Sequence, residues 1–409
     1  MLEQLHANVS TLVTDQYGCY VIEHVLEHGL PEDRERIVRR LQGDIMKYAQ
    51  DKFGSLVMRK CFACGTADQK KALFDNVWVG GPKTLQNARQ LMADEFGSHV
   101  IEKFFEYGTD DQKAQLVDAL RGHVLELAQQ MYGCHVVGAA LKSVDKASQI
   151  EIINEILAQV IPLSLHKYGS WVIRFVLEHC THKRLVLEQL HANVPTLVTD
   201  KYGSYVIRHV IEHGLPKDRE RIVRILQENV PTLVMDQYGS YVIEHVLEHG
   251  LPEDRERIVH SLHENVNSLS IHECGYRVIQ RVLEHCTEQQ KRPMLEQLHG
   301  QCAHMDGPKT GQRIVRSLQG DILKHIHHKS ICSIIEKCLI FGTTEQKNAL
   351  IDQVCADDGT GKPPLLQMMK QQFANDVVLK MVDGADSAHR DKMMFAIEEH
   401  IPALLKRQQ

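Results

Sequence analysis

A repeat of about 36 residues constrains this chain more than any other feature. The segment at residues 2–38 reads "LEQLHANVSTLVTDQYGCYVIEHVLEHGLPEDRERIV". It recurs almost unchanged at residues 187–223 and in altered form at 226–259, and weaker copies fill most of the remaining chain. One copy is too short to bury its own apolar side. The period therefore predicts an all-α solenoid of stacked helical units, where 409 residues would otherwise suggest two or three globular domains.

The pattern within one copy predicts three helices. A short first helix should end near residues 232–235, and Gly239 should mark a tight start to the second helix. Four residues at i, i+1, i+4 and i+5 should form the buried stripe of that second helix: Val242, Ile243, Val246 and Leu247. Gly250 should end the second helix, and Pro252 should lie in the first turn of the third. No strand pattern of comparable strength appears.

The composition limits the binding partners and cellular compartments that fit this chain. The net charge of −6 argues against a uniformly basic nucleic-acid coat, although it leaves a local basic face open. The eleven cysteines lack an even, short spacing, and several lie in apolar helical runs (Cys61, Cys180, Cys286, Cys338). Reduced thiols in a cytosolic or nuclear protein fit this usage better than disulfides. An apolar run long enough to span a membrane and a secretory leader are both missing from the sequence.

Each repeat can be aligned on the residue that follows its "YG" or "FG" step. Spacings of 34–36 residues predominate, two are 43, and the step from the eighth to the ninth position is 56. Residues 293–322 keep the sequence motifs that open and close a repeat but lack a central helix. This predicts a truncated repeat, and either a bend or a gap in the array. The aligned first positions are Cys19, Ser55, Ser98, Cys134, Ser170, Ser204, Ser240, Tyr276, Cys332 and Asn375.

The polar face of the second helix carries a pattern of its own. Ser240, Tyr241 and Glu244 share one face because i, i+3 and i+4 neighbours converge on a helix. A ring can stack on a nucleobase while its neighbours reach the base edge. Glu accepts from two guanine donors, and Arg donates to cytosine acceptors. The first position stays small while the third changes charge sign, which favours base-by-base reading; drift of an ordinary polar helix surface is the simpler alternative.

Four stretches resemble Pumilio (PUF) repeats: "DQYGSYVIEHVLEHGLPEDRERIV", "QQFANDVVLKMVD", "QMYGCHVV" and "KSICSIIEKCLIFGTTEQKNALIDQVC". The resemblance covers essentially the whole chain. It implies a right-handed α-solenoid, a crescent of about ten three-helix repeats plus the truncated one, spanning residues 1–409 as a single array. Its concave face would bind single-stranded RNA, one base per repeat, with the N-terminal repeat at the RNA 3′ end.

The resemblance also implies a setting. Its members commonly bind mRNA 3′ untranslated regions and repress translation or stability through recruited repressor or deadenylase-recruiting proteins. A cytoplasmic monomer without cofactor, metal or membrane association is expected.

The base code of the resembled family assigns roles by position. Guanine readers would be Cys19/Glu23, Ser98/Glu102, Ser240/Glu244 and Cys332/Glu336. Cytosine readers would be Ser55/Arg59, Ser170/Arg174 and Ser204/Arg208. The stacking positions would be Tyr20, Leu56, His99, His135, Trp171, Tyr205, Tyr241, Arg277, Ser333 and Asp376.

Several repeats depart from the family pattern. Cys134 pairs with Gly138, which has no side chain to read an edge, and Tyr276 with Gln280 is atypical. The last repeat has Asn375, Asp376 and Leu379 in place of an Asn–aromatic–Gln set. These departures disfavour the usual UGU-led target. The strongest contiguous reading, from Ser170 to Ser240, predicts a preference for 5′-GCC-3′.

Three other motifs give weaker indications of function. The "HVLEH" motif and its "HVIEH" variant at 209–213 place paired histidines at i, i+4 without a third ligand in the sequence, and packing between repeats is the expected role (His24/His28, His209/His213, His245/His249). "CFAC" at residues 61–64 has no second cysteine pair, and Cys61 falls on the core stripe. "GGPKT" at 80–84 and "GPKT" at 307–310 lack P-loop spacing and are expected to be loops.

No nucleophile–base–acid set indicates an enzyme. The alternative to RNA binding is a helical scaffold for proteins, with weak or non-specific RNA binding.

Overall fold

The computed structural model describes residues 2–78, 83–262, 265–287, 289–290, 329–341, 344–356, 363–371 and 373–398. Over these ranges the chain is helical and contains no β-strand, which confirms the all-α prediction. None of the described helices is long and apolar enough to cross a membrane. The chain divides into two compact units, Met1–Asn193 and Val194–Gln409.

The first unit repeats a short first helix, a central helix and a third helix, after an initial helix at Leu2–Ala7. The first helices are Val9–Leu12, Ile45–Ala49 (preceded by a 3-10 turn at Gln42–Asp44), Lys83–Ala93, Val124–Ala128 and Val160–Ser164. The central helices are Gly18–His28, Gly54–Cys64, Gly97–Tyr107, Gly133–Ser143 and Gly169–His179. The third helices are Pro31–Leu41, Ala67–Trp78, Asp110–Leu120, Lys146–Leu157 and Arg184–Ala192.

The second unit repeats the same order. Its described first helices are Val194–Val198, Val230–Leu233, Val266–Ile271 and Pro364–Met368. Its central helices are Lys201–His213, Gln237–His249, Gly275–His285, Lys329–Phe341 and Ala374–Gly384. Its third helices are Pro216–Gln227, Pro252–Leu262, Thr344–Cys355 and Ser387–Glu398. The "GPKT" loop and the truncated repeat at 293–322 lie outside the described residues.

The recurring Asp–x–aromatic–Gly motif determines where the central helices begin. Asp236 caps its helix, because its carboxylate accepts from the backbone N–H of Tyr238 at 2.9 Å and of Gly239 at 2.7 Å. A Cβ at Gly239 would lie 2.6 Å from the carbonyl oxygen of Leu233 in the preceding helix. Glycine is therefore required where the first helix crosses the start of the central one.

Apolar side chains hold neighbouring repeats together. Val242, Ile243, Val246 and Leu247 are fully buried, as predicted. Within each unit, each central helix packs against the next, so the buried stripes form one continuous core along the unit. The helix with this stripe ends at His249, and Pro252 occupies the first turn of the following helix, both as predicted.

The long step of 56 residues leaves no gap between two central helices. Helices Gly275–His285 and Lys329–Phe341 pack directly against each other, and the Gln280 side-chain amide donates to the Ser333 hydroxyl. The row of central helices therefore continues across the truncated repeat.

Two smaller expectations have mixed outcomes. No disulfide joins the cysteines whose side chains the structure describes, and Cys61 is buried in the core as predicted. The "GGPKT" segment is not wholly a loop: a helix begins at Lys83, while residues 79–82 lie outside the described ranges. The extra residues in this repeat thus lead into a longer first helix.

Candidate nucleic-acid interface

The three aligned positions recur on each central helix: the first position (small residue), the second (ring) and the third (long polar residue). Because consecutive central helices pack side by side within each unit, these positions form a row along the unit. Their burial follows a common order: the first position is buried in eight repeats and the other two are mostly half-buried or exposed. The buried first positions are Cys19, Ser55, Ser98, Cys134, Ser170, Ser204, Ser240 and Cys332.

The small first residue has a structural role that the sequence pattern did not reveal. The hydroxyl of Ser240 is fully buried and donates to the carbonyl oxygen of Gln237 at 3.0 Å. Ser204 makes the same bond to Lys201 at 2.9 Å, and the Cys134 thiol donates to Met131 at 3.3 Å. Restricted space and this local bond explain why the position stays small. Smallness alone is therefore not a sign of base reading, contrary to the sequence interpretation.

Most second positions carry a ring or a guanidinium; Leu56, Ser333 and Asp376 do not. Tyr20 is 59% exposed, and Tyr205 is 41% exposed with the Arg208 guanidinium 4.7 Å from its ring centroid. The Arg277 guanidinium lies 5.5 Å from the Tyr241 ring centroid, and its Nη1 donates to the Tyr241 hydroxyl at 2.9 Å. Hydrogen bonds with Tyr241 and Tyr276 raise the pKa of Arg277, so the guanidinium stays charged. The Arg277 guanidinium thus covers one face of the Tyr241 ring, and a base that stacks on this face must take the place of this flexible side chain.

The long third positions carry polar atoms without hydrogen-bond partners in the described part of the chain. These buried atoms are Arg59 Nε, Glu102 Oε1, Arg208 Nε and Glu244 Oε1. Glu102 Oε1 does lie 3.3 Å from His99 Nδ1, an ion-pair distance without hydrogen-bond geometry. Unsatisfied buried polar atoms are costly, and those at the third positions can be satisfied by a ligand that lies along the row. Other repeat positions carry such atoms as well, for example Arg219 Nε and Arg255 Nε on third helices.

Glu244 shows how such a position is held. Its side chain is 12% exposed, and Oε2 lies 3.6 Å from Arg281 Nε on the next central helix. Arg281 is also bound by Glu248 at 2.9 Å and by Glu284 at 2.9 Å. Burial raises the pKa of Glu244, while Arg281 acts in the opposite direction. The sequence did not reveal Arg281, because its contact with Glu244 exists only between packed helices.

Toward the C terminus the row changes character. Glu336 is paired with Lys380 of the next central helix, so this predicted guanine reader already has a cationic partner. In the last repeat, Asn375 and Asp376 are exposed and Leu379 is 57% exposed. An exposed leucine offers no hydrogen bond to a base edge. The family-derived guanine-reading role of Glu336 and the RNA-contacting roles of Asn375 and Asp376 remain predictions.

The paired histidines are not uniformly packed between repeats, which corrects the sequence prediction. His28, His213 and His249 have side chains 62%, 55% and 43% exposed. His245 does contact the preceding repeat, with Nε2 3.4 Å from Glu212 Oε2. Ligand-type atoms of Glu212, His245 and His249 lie within 4.8 Å of one another, so the structure supplies the third group that the sequence lacked. Burial lowers the pKa of His245 to about 4, so its imidazole is neutral at neutral pH and this contact is not a charged ion pair. The absence of a metal remains a prediction.

Fold and surface together define the class: a helical-repeat protein whose central helices present a row of ring and long polar side chains. Two family models match it. The model of the Pumilio-family RNA binding repeat matches residues 8–41, 44–77, 229–263, 265–299, 332–355 and 365–397. The model of the NOP9-like PUF repeat domain matches residues 86–212. The chain belongs to the Pumilio (PUF) family of RNA-binding repeat proteins.

Individual relatives agree with this assignment. Pumilio homolog 1 of Xenopus laevis is 32% identical over 123 residues, which are 30% of this chain and 10% of the relative. The matched region thus spans about a tenth of that curated protein's length. Among solved structures, the Puf3 RNA-binding domain bound to the Cox17 RNA 3′ UTR recognition sequence site B has 25% identity and a TM-score of 0.57. It aligns over 90% of this chain and 91% of its own. PUF-8 in complex with PBE-RNA has 28% identity and a TM-score of 0.54, over 90% of both chains.

Proposed function

We propose that this chain binds single-stranded RNA sequence-specifically, with one base per repeat contacted by the ladder of the central helices. The recurring unsatisfied atoms at the third position carry the proposal: Arg59 Nε, Glu102 Oε1, Arg208 Nε and Glu244 Oε1. A base edge offers the complementary donors and acceptors, and a neighbouring ring supports the base face. The family membership and the RNA-bound structural relatives support the same function.

The charge at the third position selects the base. Glu244 and Glu102 accept two hydrogen bonds from guanine, whereas Arg208 and Arg59 donate to the acceptors of cytosine. In the second unit, the adjacent pair Ser240/Glu244 and Ser204/Arg208 would favour 5′-GC-3′, since the RNA runs antiparallel to the protein. Extending this reading to Ser170/Arg174 gives the predicted 5′-GCC-3′.

The proposed biological role is post-transcriptional regulation of mRNA. Binding to 3′ untranslated regions in the cytoplasm would repress translation or message stability through recruited proteins, with this chain acting as a monomer. The Puf3 domain holds a 3′ UTR recognition sequence in its solved complex, and this supports the substrate class by similarity. The proposed role requires no catalytic activity.

Binding to short labelled RNAs tests the proposal against the scaffold alternative. We expect the full chain to bind single-stranded RNA better than duplex of the same sequence, with affinity that falls as salt rises. At fixed salt, an RNA with 5′-GC-3′ in its centre should bind about tenfold more tightly than one with 5′-CG-3′. Affinities equal for both sequences, or no binding at low salt, would contradict sequence-specific recognition.

A further inference from the structure

The repeat on central helix Gly133–Ser143 has glycine at the third position, and another residue fills the space. Gly138 is buried, and a Cβ built on it would lie 2.7 Å from Cη2 and 2.9 Å from Cζ3 of Trp171. Such distances are far inside van der Waals contact. The indole of the next repeat therefore occupies the place where an edge-reading side chain would begin.

Aromatic contacts hold the indole in this position. Its ring centroid lies 4.9 Å from that of His135, at an interplanar angle of 63°. On its own helix it lies 5.2 Å from Phe175, and Phe175 stacks on His179 at 4.2 Å. Edge-to-face packing of this kind adds stability beyond burial alone. Trp171 is thus part of an aromatic cluster rather than a free stacking surface.

A base cannot enter between the two second-position rings of this step. A flat base between His135 and Trp171 needs a van der Waals contact of about 3.5–4.0 Å on each face, hence about 7–8 Å between the rings. The observed 4.9 Å leaves no such space. The Cys134 thiol adds little to recognition, since it is buried and donates to the Met131 carbonyl oxygen at 3.3 Å. Burial raises the pKa of Cys134 to about 11, which keeps this thiol neutral.

The preceding repeat of the same unit differs in each respect. Glu102 is half-buried and retains Oε1 without a hydrogen-bond partner in the described chain. His99 stands at its second position, with its side chain 44% exposed. The repeat with Ser98 and Glu102 is thus equipped to read a base, while the repeat with Cys134 and Gly138 is closed.

We propose that Trp171 closes the Cys134/Gly138 repeat, so that the RNA position opposite this repeat is accepted regardless of its base identity. This inference rests on the proposed RNA binding and refines it: the target would contain one indifferent position between positions that are read. The base at this step remains outside the ring row, with its edge toward solvent, and the backbone passes the closed repeat to the next.

The test is a base scan of a bound RNA with the wild-type chain. Each position is replaced by all four bases, and Glu102→Arg identifies the register, because it should exchange guanine for cytosine preference at its own step. The neighbouring step, opposite Cys134, should then show affinities within about twofold for all bases, against about tenfold for the Glu102 step. Tenfold discrimination opposite Cys134 would overturn the closed-repeat inference. Lack of discrimination at every step, the Glu102 step included, would instead overturn sequence-specific binding.

A gain of function provides the complementary test. The double variant Gly138→Glu with Trp171→Tyr gives the closed repeat the same third-position residue as Glu23, and replaces the indole at the second position of the following repeat with the smaller ring found at Tyr205. It should prefer guanine about fivefold or more at the formerly indifferent step. Gly138→Glu alone should lower Tm, because its Cβ meets the indole. A double variant that melts like wild type, keeps the Glu102 preference and gains none opposite Cys134 would contradict the role given to Trp171.

Discussion

Replacing Glu244 with arginine should move the base preference of its repeat from guanine to cytosine and leave the fold intact. The chain already contains the product of this change, since Ser204, Tyr205 and Arg208 occupy the same three positions one repeat earlier. There the guanidinium lies 4.7 Å from the Tyr205 ring centroid and is accommodated while half-buried. At 244 the new arginine would also face Arg281 and Arg277, whose guanidinium lies 5.5 Å from the Tyr241 ring centroid, so repulsion among these partly exposed cations should add up to about 1 kcal/mol to the cost of the change.

The expected cost in stability is small. The ion pair of Glu244 with Arg281 spans 3.6 Å and involves a guanidinium that is 39% exposed, so its loss should cost about 0–1 kcal/mol. Arg281 keeps Glu248 and Glu284, each at 2.9 Å. Because burial raises the pKa of Glu244, its ionised form adds no stability at neutral pH: the contribution of such a carboxyl is present at low pH and lost as pH rises. Tm should therefore change by no more than about 2–4 °C.

The expected change in specificity is larger. One well-formed bidentate base contact is worth about 1–3 kcal/mol of discrimination, or about 5- to 150-fold in affinity. Fluorescence anisotropy with two RNAs that differ by G or C at one position measures the ratio, at one fixed salt concentration. Glu244→Met is the matched control, because methionine has a similar length, removes the charge and brings no hydrogen-bond donor to cytosine. If Glu244→Arg weakened both RNAs equally while Tm stayed unchanged, the base code would be refuted.

Three further changes probe stacking, packing and protonation. Tyr241→Ala should weaken RNA binding by about 1–3 kcal/mol in an anisotropy titration, whereas Phe395→Ala, which removes an exposed ring of a third helix, should not. Gly239→Ala should lower the free energy of unfolding by about 1–3 kcal/mol in urea titration, because its Cβ would lie 2.6 Å from a carbonyl oxygen; Gly43→Ala, with open space around the Cβ, should be neutral or stabilising. Burial lowers the pKa of His245 to about 4, so its contribution to stability is present above about pH 6.5 and is lost as pH falls toward 4. Between pH 6.5 and 4, the His245→Gln variant should lose about 2–3 kcal/mol less unfolding free energy than the wild type, as measured by urea titration at each pH. The same pH dependence in both proteins would contradict a buried neutral imidazole.

The repeat and its helices were predictable because periodicity is a local property of the sequence. The stripe of Val242 and Ile243 is buried where the pattern placed it, and the helix ends at His249 as Gly250 indicated. The short first helix ends at Leu233, within the predicted residues 232–235.

Contacts between repeats could not be read from the sequence. The partner of Glu244 lies 37 positions away in Arg281, and only the packing of two helices brings the side chains together. The closure of Gly138 by Trp171 has the same origin. The constant small residue at Ser240 was visible, but its buried bond to Gln237 was not, and this bond gives the position a structural role beside the predicted contact with RNA.

Selection of bound RNA from a random pool by the full chain tests the central claim most directly. The proposed readout predicts enriched single-stranded sites with guanine opposite Glu244 and cytosine opposite Arg208, giving 5′-GC-3′ and, with Arg174, 5′-GCC-3′. The Glu244→Arg chain, selected in parallel, should return cytosine at that one position. A pool without enrichment, or one dominated by UGUA sites in both selections, would contradict base-by-base reading by these repeats.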